Sequence, residues 1–265
     1  MSAAEPVVGQ GRAEIYVTVV NEDRHPVRGL GSEDFSLRDG GQRRNVLDAA
    51  AATNPLAVAI VVEGFEPADT AAVRATINEF VMQVGHGPDG SRFGVVGSAE
   101  SPAGEVLMLA AGQPASDLDA RLTLPRGSLV GGIVRGARAL EEARSDRRVV
   151  LAIVRRSTDE PRAAAPYQAT DALLRARASL WTIEVAASGK PGPLDDVLAS
   201  GARLGGALRE TIATTDDLVP AAERVADLLL SQYVITYAWP DPMISVVNVT
   251  TRHERGQVLH PSWPR

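Results

Sequence analysis

LAVAIVVEGFEP, residues Leu56 to Pro67, decides the fold. It opens as a continuous apolar run from Leu56 to Val62, and the β-branched Val58, Ile60, Val61 and Val62 favour a strand. A strand apolar on both faces belongs in the middle of a sheet that helices cover on both sides. The run stops at Glu63, and Gly64 lets the chain turn. After Pro67, Val73, Ile77, Phe80, Val81 and Val84 recur at helical spacing. Ligands of open α/β sheets bind at the carboxyl ends of the strands. Function is therefore expected just after Val62.

Working outward, strands and helices alternate. Arg92 to Gly97 and Glu105 to Ala110 read as strands, with a hairpin at Pro102-Ala103-Gly104. Gly85 to Ser91 is a Gly-rich loop and Gln113 to Arg126 a polar segment. Ser128 to Glu142, Tyr167 to Ala178, Pro193 to Leu204 and Asp217 to Ser231 read as helices. Arg147 to Val154, Leu180 to Val185 and a short stretch near Ala207 to Ala213 read as strands. This order predicts an α/β fold with a doubly wound, mostly parallel sheet.

Both chain ends are β-like. Ala13 to Val20 alternates Ile15, Val17 and Val19 with polar or amphipathic residues. Asp39-Gly40-Gly41 is a turn signal, Gln42 to Leu47 a return strand, and Ala49 to Asn54 a linker. Tyr233 to Trp239 and Ile244 to Arg252 read as antiparallel strands around Pro240-Asp241-Pro242. Neither end is large enough to make a core alone. The expected organisation is a split β module, residues 1–50 and 232–265, interrupted by an α/β domain, residues 51–231.

Composition narrows the function classes. The 265 residues are 45% hydrophobic and 23% charged, with net charge −6 and no long basic stripe. That argues against nucleic acid, whose binding depends on neutralising phosphates. The absence of cysteine excludes disulfides and thiolate metal sites. No apolar run approaches the roughly 20 residues that span a membrane. The start, MSAAEPVVGQ, has neither a basic segment nor an apolar signal core.

The opening VTVVNEDRHPVRGLGSEDFSLRDGGQRRNVLDAA resembles bacterial von Willebrand factor type A-related proteins. The matching residues are Pro26, Val27, Gly29, Leu30, Glu33, Asp34, Phe35, Asp39 and Gly40. The close, LLLSQYVITYAWP, is similar to the same family's final helix and strand through Gln232, Tyr233 and Tyr237. The resemblance implies a von Willebrand factor A-like fold and a binding module, not an enzyme, often in secreted or cell-envelope proteins. The implied partner is another protein, with homo-oligomers left open.

The resemblance also implies where a divalent cation would sit. The family's Asp-x-Ser-x-Ser motif aligns with Glu63-Gly64-Phe65-Glu66-Pro67, its later Thr with Ser128, and its late Asp with Arg155. Hard cations want oxygen ligands. Here two hydroxyls are lost and a carboxylate becomes a guanidinium. The expectation is a degenerate metal site with no cofactor, in which a Glu63–Arg155 ion pair stands in for the ion. The alternative is metal-dependent adhesion with altered ligands. The loops Gly64 to Ala68, Gly85 to Ser91 and Arg126 to Ser128 are expected to converge on one face, with Phe65, Glu66, His86 and Arg126 as contact residues. Each has a plainer reading: Phe65 packed over the loop, Ser128 as a helix N-cap, Glu66 solvated.

Enzyme motifs are weak. Gly97-Ser98 and Gly127-Ser128 do not complete Gly-x-Ser-x-Gly. Gly85 to Ser91 lacks the lysine of a phosphate-binding loop. A hydrolytic α/β enzyme is the less favoured alternative. The four histidines, His25, His86, His253 and His260, lack metal-ligand spacing.

Overall fold

A computed structural model describes residues 11–96, 106–109, 128–143, 145–155, 167–186, 193–239, 246–254 and 256–262. The chain divides into two compact units, Met1–Ala52 with Ser231–Arg265, and Thr53–Leu230.

In the second unit, β5 (Leu56–Glu63) starts a sheet that also contains β6 (Arg92–Val96), β7 (Val106–Leu109), β8 (Arg147–Arg155), β9 (Ala178–Val185) and β10 (Arg209–Ile212). The order is β10-β9-β8-β5-β6-β7, parallel throughout except that β7 runs antiparallel to β6. The helices are α1 (Thr70–Gly85), α2 (Leu129–Glu141), α3 (Tyr167–Ala176), α4 (Pro193–Gly205) and α5 (Leu218–Leu230). This is the doubly wound α/β fold expected from the alternation of elements. The expected hairpin residues 102–104 and the polar segment 113–126 lie outside the described residues.

The pleat sorts β5 into two unlike faces. Ala57, Ala59 and Val61 join one core cluster with residues of α2, α3 and α4. Small side chains serve this face because α2 comes close. A Cβ on Gly132 would lie 2.5 Å from a Val61 methyl, and one on Gly136 would lie 3.1 Å from the Ala59 Cβ. On the other face, Val58 stands opposite Phe93 of β6. Phe93 meets Phe80 of α1 edge to face, with ring centroids 6.4 Å apart.

The first unit holds two antiparallel sheets. One, in the order β13-β1-β11-β4, comprises β1 (Gly11–Val20), β4 (Val46–Ala51), β11 (Tyr233–Trp239) and β13 (Gln257–Leu259). The other, β12-β2-β3, comprises β2 (Phe35–Asp39), β3 (Gln42–Arg44) and β12 (Val247–Thr251). Between them lie Ile15, Val17, Val19, Phe35, Leu37, Tyr233, Ile235, Tyr237, Val247 and Val249. The Tyr233 hydroxyl donates to the Val27 carbonyl at 2.9 Å and accepts from the Leu30 amide at 3.2 Å. That ties the Pro26-to-Leu30 loop onto β11.

Two expectations change here. The first half of the segment read as a linker, Ala49 to Ala51, belongs to β4, which ladders against β11 through Ala51. Its run of alanines carries no apolar period, so the backbone pairing alone makes the strand. The single return strand read over Gln42 to Leu47 breaks at Asn45, where the chain passes from one sheet to the other. The carbonyl of Asn45 accepts the Ala238 amide at the crossing. The two C-terminal strands pair with strands from the N-terminal end, β11 with β1 and β12 with β2.

The arrangement predicts the effect of a truncation. β1 lies between β11 and β13, so deleting Tyr233 to Arg265 removes both of its neighbours. Hydrogen exchange of Ile15 to Val19 should become fast in that variant; unchanged protection would refute the dependence.

Candidate functional site

The carboxyl edge of the parallel sheet is built around one close approach. Gly64 leaves β5 at φ 82°, a left-handed conformation that favours glycine. A Cβ there would clash with the Arg155 carbonyl oxygen that ends β8, far inside van der Waals contact. The turn after β5 thus rests directly on the backbone of the neighbouring strand.

Arg155 pairs with Asp69. Its Nη1 donates to Asp69 Oδ2 at 2.5 Å, with the arginine side chain 36% and the aspartate 13% exposed. The same carboxylate accepts the Glu66 amide at 3.0 Å and closes the one-turn 3-10 helix Pro67–Asp69. Asp69 therefore anchors the loop to its own backbone and to β8. The expected Glu63–Arg155 pair is replaced, and the pleat is the reason. Glu63 stands opposite Val154, which faces α2, so Arg155 points to the other face, where α1 begins. Asp69, which sequence reasoning missed, sits at that helix start. A capping signal was present in the spacing of Asp69 three residues after Glu66.

The other candidates separate. Phe65 is only 6% exposed, so its ring is packed under the loop and presents no contact face. Glu66 and Pro67 are exposed. Ser128 caps α2, its Oγ accepting the Gly131 amide at 3.4 Å. Since α2 runs against β5, with Gly132 beside Val61 and Gly136 beside Ala59, Ser128 belongs to the carboxyl edge. Arg126 lies outside the described residues.

His86 and the loop Gly85 to Ser91 do not join this edge. α1 returns the chain to the start of β6, which is parallel to β5. The loop therefore lies at the amino edge, where Ser91 Oγ accepts the amide of Leu56 at 3.2 Å. His86 is exposed there and its amide caps α1. Parallel pairing forces this crossover.

A second charged cluster lies further along. Glu184 of β9 is fully buried, and Arg209 of β10 binds both it and Asp195 in the first turn of α4. Burial works against the Arg209 charge, but bonds from Asp195 and Glu184 more than offset this and raise its pKa. Asp195 sits in the first turn of α4, where a carboxylate also suits the helix dipole. Among the described residues, no three metal-capable side chains gather.

Neither a family profile nor a curated protein sequence matches the chain. Similar solved structures include a von Willebrand factor type A protein from Catenulispora acidiphila, 10% identical with a TM-score of 0.49, covering 96% of this chain and 74% of that one. The SpRpn10 VWA domain is 14% identical with a TM-score of 0.49, covering 64% and 94%. The ArnB paralog VWA2 from Sulfolobus acidocaldarius is 10% identical with a TM-score of 0.44, covering 95% and 76%. The doubly wound order described above rests on the chain's own strand pairings.

Two variants test the two anchors. Gly64→Ala should lower stability by more than about 2 kcal/mol in denaturant melts, because the methyl meets backbone that has no room to move. Arg209→Met should cost about 3–5 kcal/mol at neutral pH by stranding the buried Glu184 charge. Adding Glu184→Gln to Arg209→Met should recover part of that loss. A loss below 1 kcal/mol, on the order of a surface ion pair, would refute the buried-pair account.

Proposed function

We propose that the chain is a non-enzymatic protein-binding or structural module, and that the carboxyl edge of its parallel sheet works without a metal ion. The Arg155–Asp69 pair carries this reading. A guanidinium holds a permanent positive charge at a strand end, which repels a divalent cation. The nearby carboxylate is already bonded to it. The Ser128 hydroxyl is committed to capping α2, and positions 65 and 67 supply no hydroxyl. What remains accessible is the exposed loop from Glu66 to Ala68, a surface suited to a partner protein.

Calorimetric titration of the full chain with Mg²⁺ or Mn²⁺ should show no site-specific heat. The trace should be unchanged in Glu63→Ala. Saturable heat that disappears in Glu63→Ala would overturn metal independence and favour the altered-ligand alternative. Proteins captured by the immobilised chain should be the same in EDTA and in Mg²⁺, with capture reduced by Glu66→Arg.

A further inference from the structure

The β unit carries a charged cleft of its own, lined by none of the carboxyl-edge residues of the parallel sheet. A hollow of about 490 Å³ opens where β3 and β4 lie, each at the edge of its sheet. Its walls include Arg43, Arg44, Arg252, Ser32, Glu33 and Asn45. Three arginines and one acidic residue, Glu33, thus line the cleft. Arg43 and Arg252 are exposed, and neither side chain has a hydrogen-bond or ion-pair partner among the described residues. Arg44 stands 3.9 Å from the buried Asp39, and its Nε is buried with no hydrogen-bond partner.

In the α/β unit, by comparison, Arg155, Arg175, Arg209 and Arg224 each hold a carboxylate. It also runs against a net charge of −6 for the whole chain. Like charges gathered in one cleft repel, and an anion bound among them relieves that repulsion. The planar fork of arginine suits the two oxygens of a carboxylate.

We infer that this cleft binds a short acidic segment of a partner protein, with its Asp or Glu side chains held by Arg43 and Arg252. A concave hollow with a carboxylate, Glu33, in its wall suits a chain segment better than a flat anionic lipid surface. Phe35, the aromatic side chain lining the cleft, is only 3% exposed and offers no platform for stacking bases. Edge strands leave main-chain groups with which an extended peptide pairs. The inference stands independently of metal binding at the parallel sheet.

The probe is a fluorescein-labelled Glu-rich peptide titrated with the full chain and followed by anisotropy. Saturable binding that weakens as salt rises is expected. The double variant Arg43→Gln/Arg252→Gln should bind at least about tenfold more weakly with an unchanged circular dichroism spectrum, and Arg43→Lys/Arg252→Lys should retain most of the affinity. A Gln-rich peptide of equal length should not bind. The proposal fails if the wild-type chain shows no saturable binding, or if the Gln double variant binds as well as wild type. It also fails if inorganic phosphate displaces the peptide at equal concentration, which marks a free-anion site. Arg43-dependent sedimentation with phosphatidylserine vesicles in the absence of peptide binding overturns it in favour of lipid.

Discussion

Alternation of side chains along β5 is the constraint from which the α/β unit follows. Ala57, Ala59 and Val61 leave room for α2, whose Gly132 and Gly136 complete a close helix-to-sheet approach. Larger side chains of the same strand fill the opposite face toward α1. The same two-residue period continues past the core to the edge of the sheet. It sends Glu63 toward one layer of helices and Arg155 toward the other. The chemistry available at the carboxyl edge is thus set by the parity of residue numbers along two neighbouring strands.

Three charged anchors of this unit are tied where they leave water. At the amino edge, Arg147 is 3% exposed and donates to the carbonyls of Asn54 and of Leu229 in the last turn of α5. The Leu229 carbonyl carries the negative end of that helix's dipole. Glu184 is held by Arg209, which also draws in the first turn of α4 through Asp195. Arg155 is held by Asp69 at the start of α1. Each pairing costs desolvation and returns it through hydrogen bonds, so its main effect is to fix geometry. Each joins a strand to a helix end or to the turn before one, and together they set how the helices are placed on the sheet.

The β unit follows a different logic. Its core is apolar and its strands come from both ends of the chain, with the Tyr233 hydroxyl bridging Val27 and Leu30. His260, half-buried beyond β13, has its pKa pushed down by burial, partly offset by the Pro261 carbonyl. The arginines Arg43 and Arg252 stay exposed and without carboxylate partners among the described residues. Unpaired cations at the rim of an apolar sandwich suit recognition better than stability, since exposed pairs contribute little to folding.

Local pattern in the sequence determined the strand at Leu56 to Val62, the amphipathic helices, the parallel α/β class and the Ser128 cap. Each depends on residues within a few turns or a few pleats of one another. Tertiary structure alone decided the rest. Alanines at 49 to 51 became a strand because β11 offered a ladder. Phe65 turned inward because the loop beneath Gly64 rests on the backbone of β8. His86 went to the far edge because a parallel crossover must return to the start of the next strand. Asp69, not Glu63, took Arg155, because register and pleat between strands far apart in the chain choose the neighbour. Composition and spacing carry no record of that register, which exists only once the strands have paired.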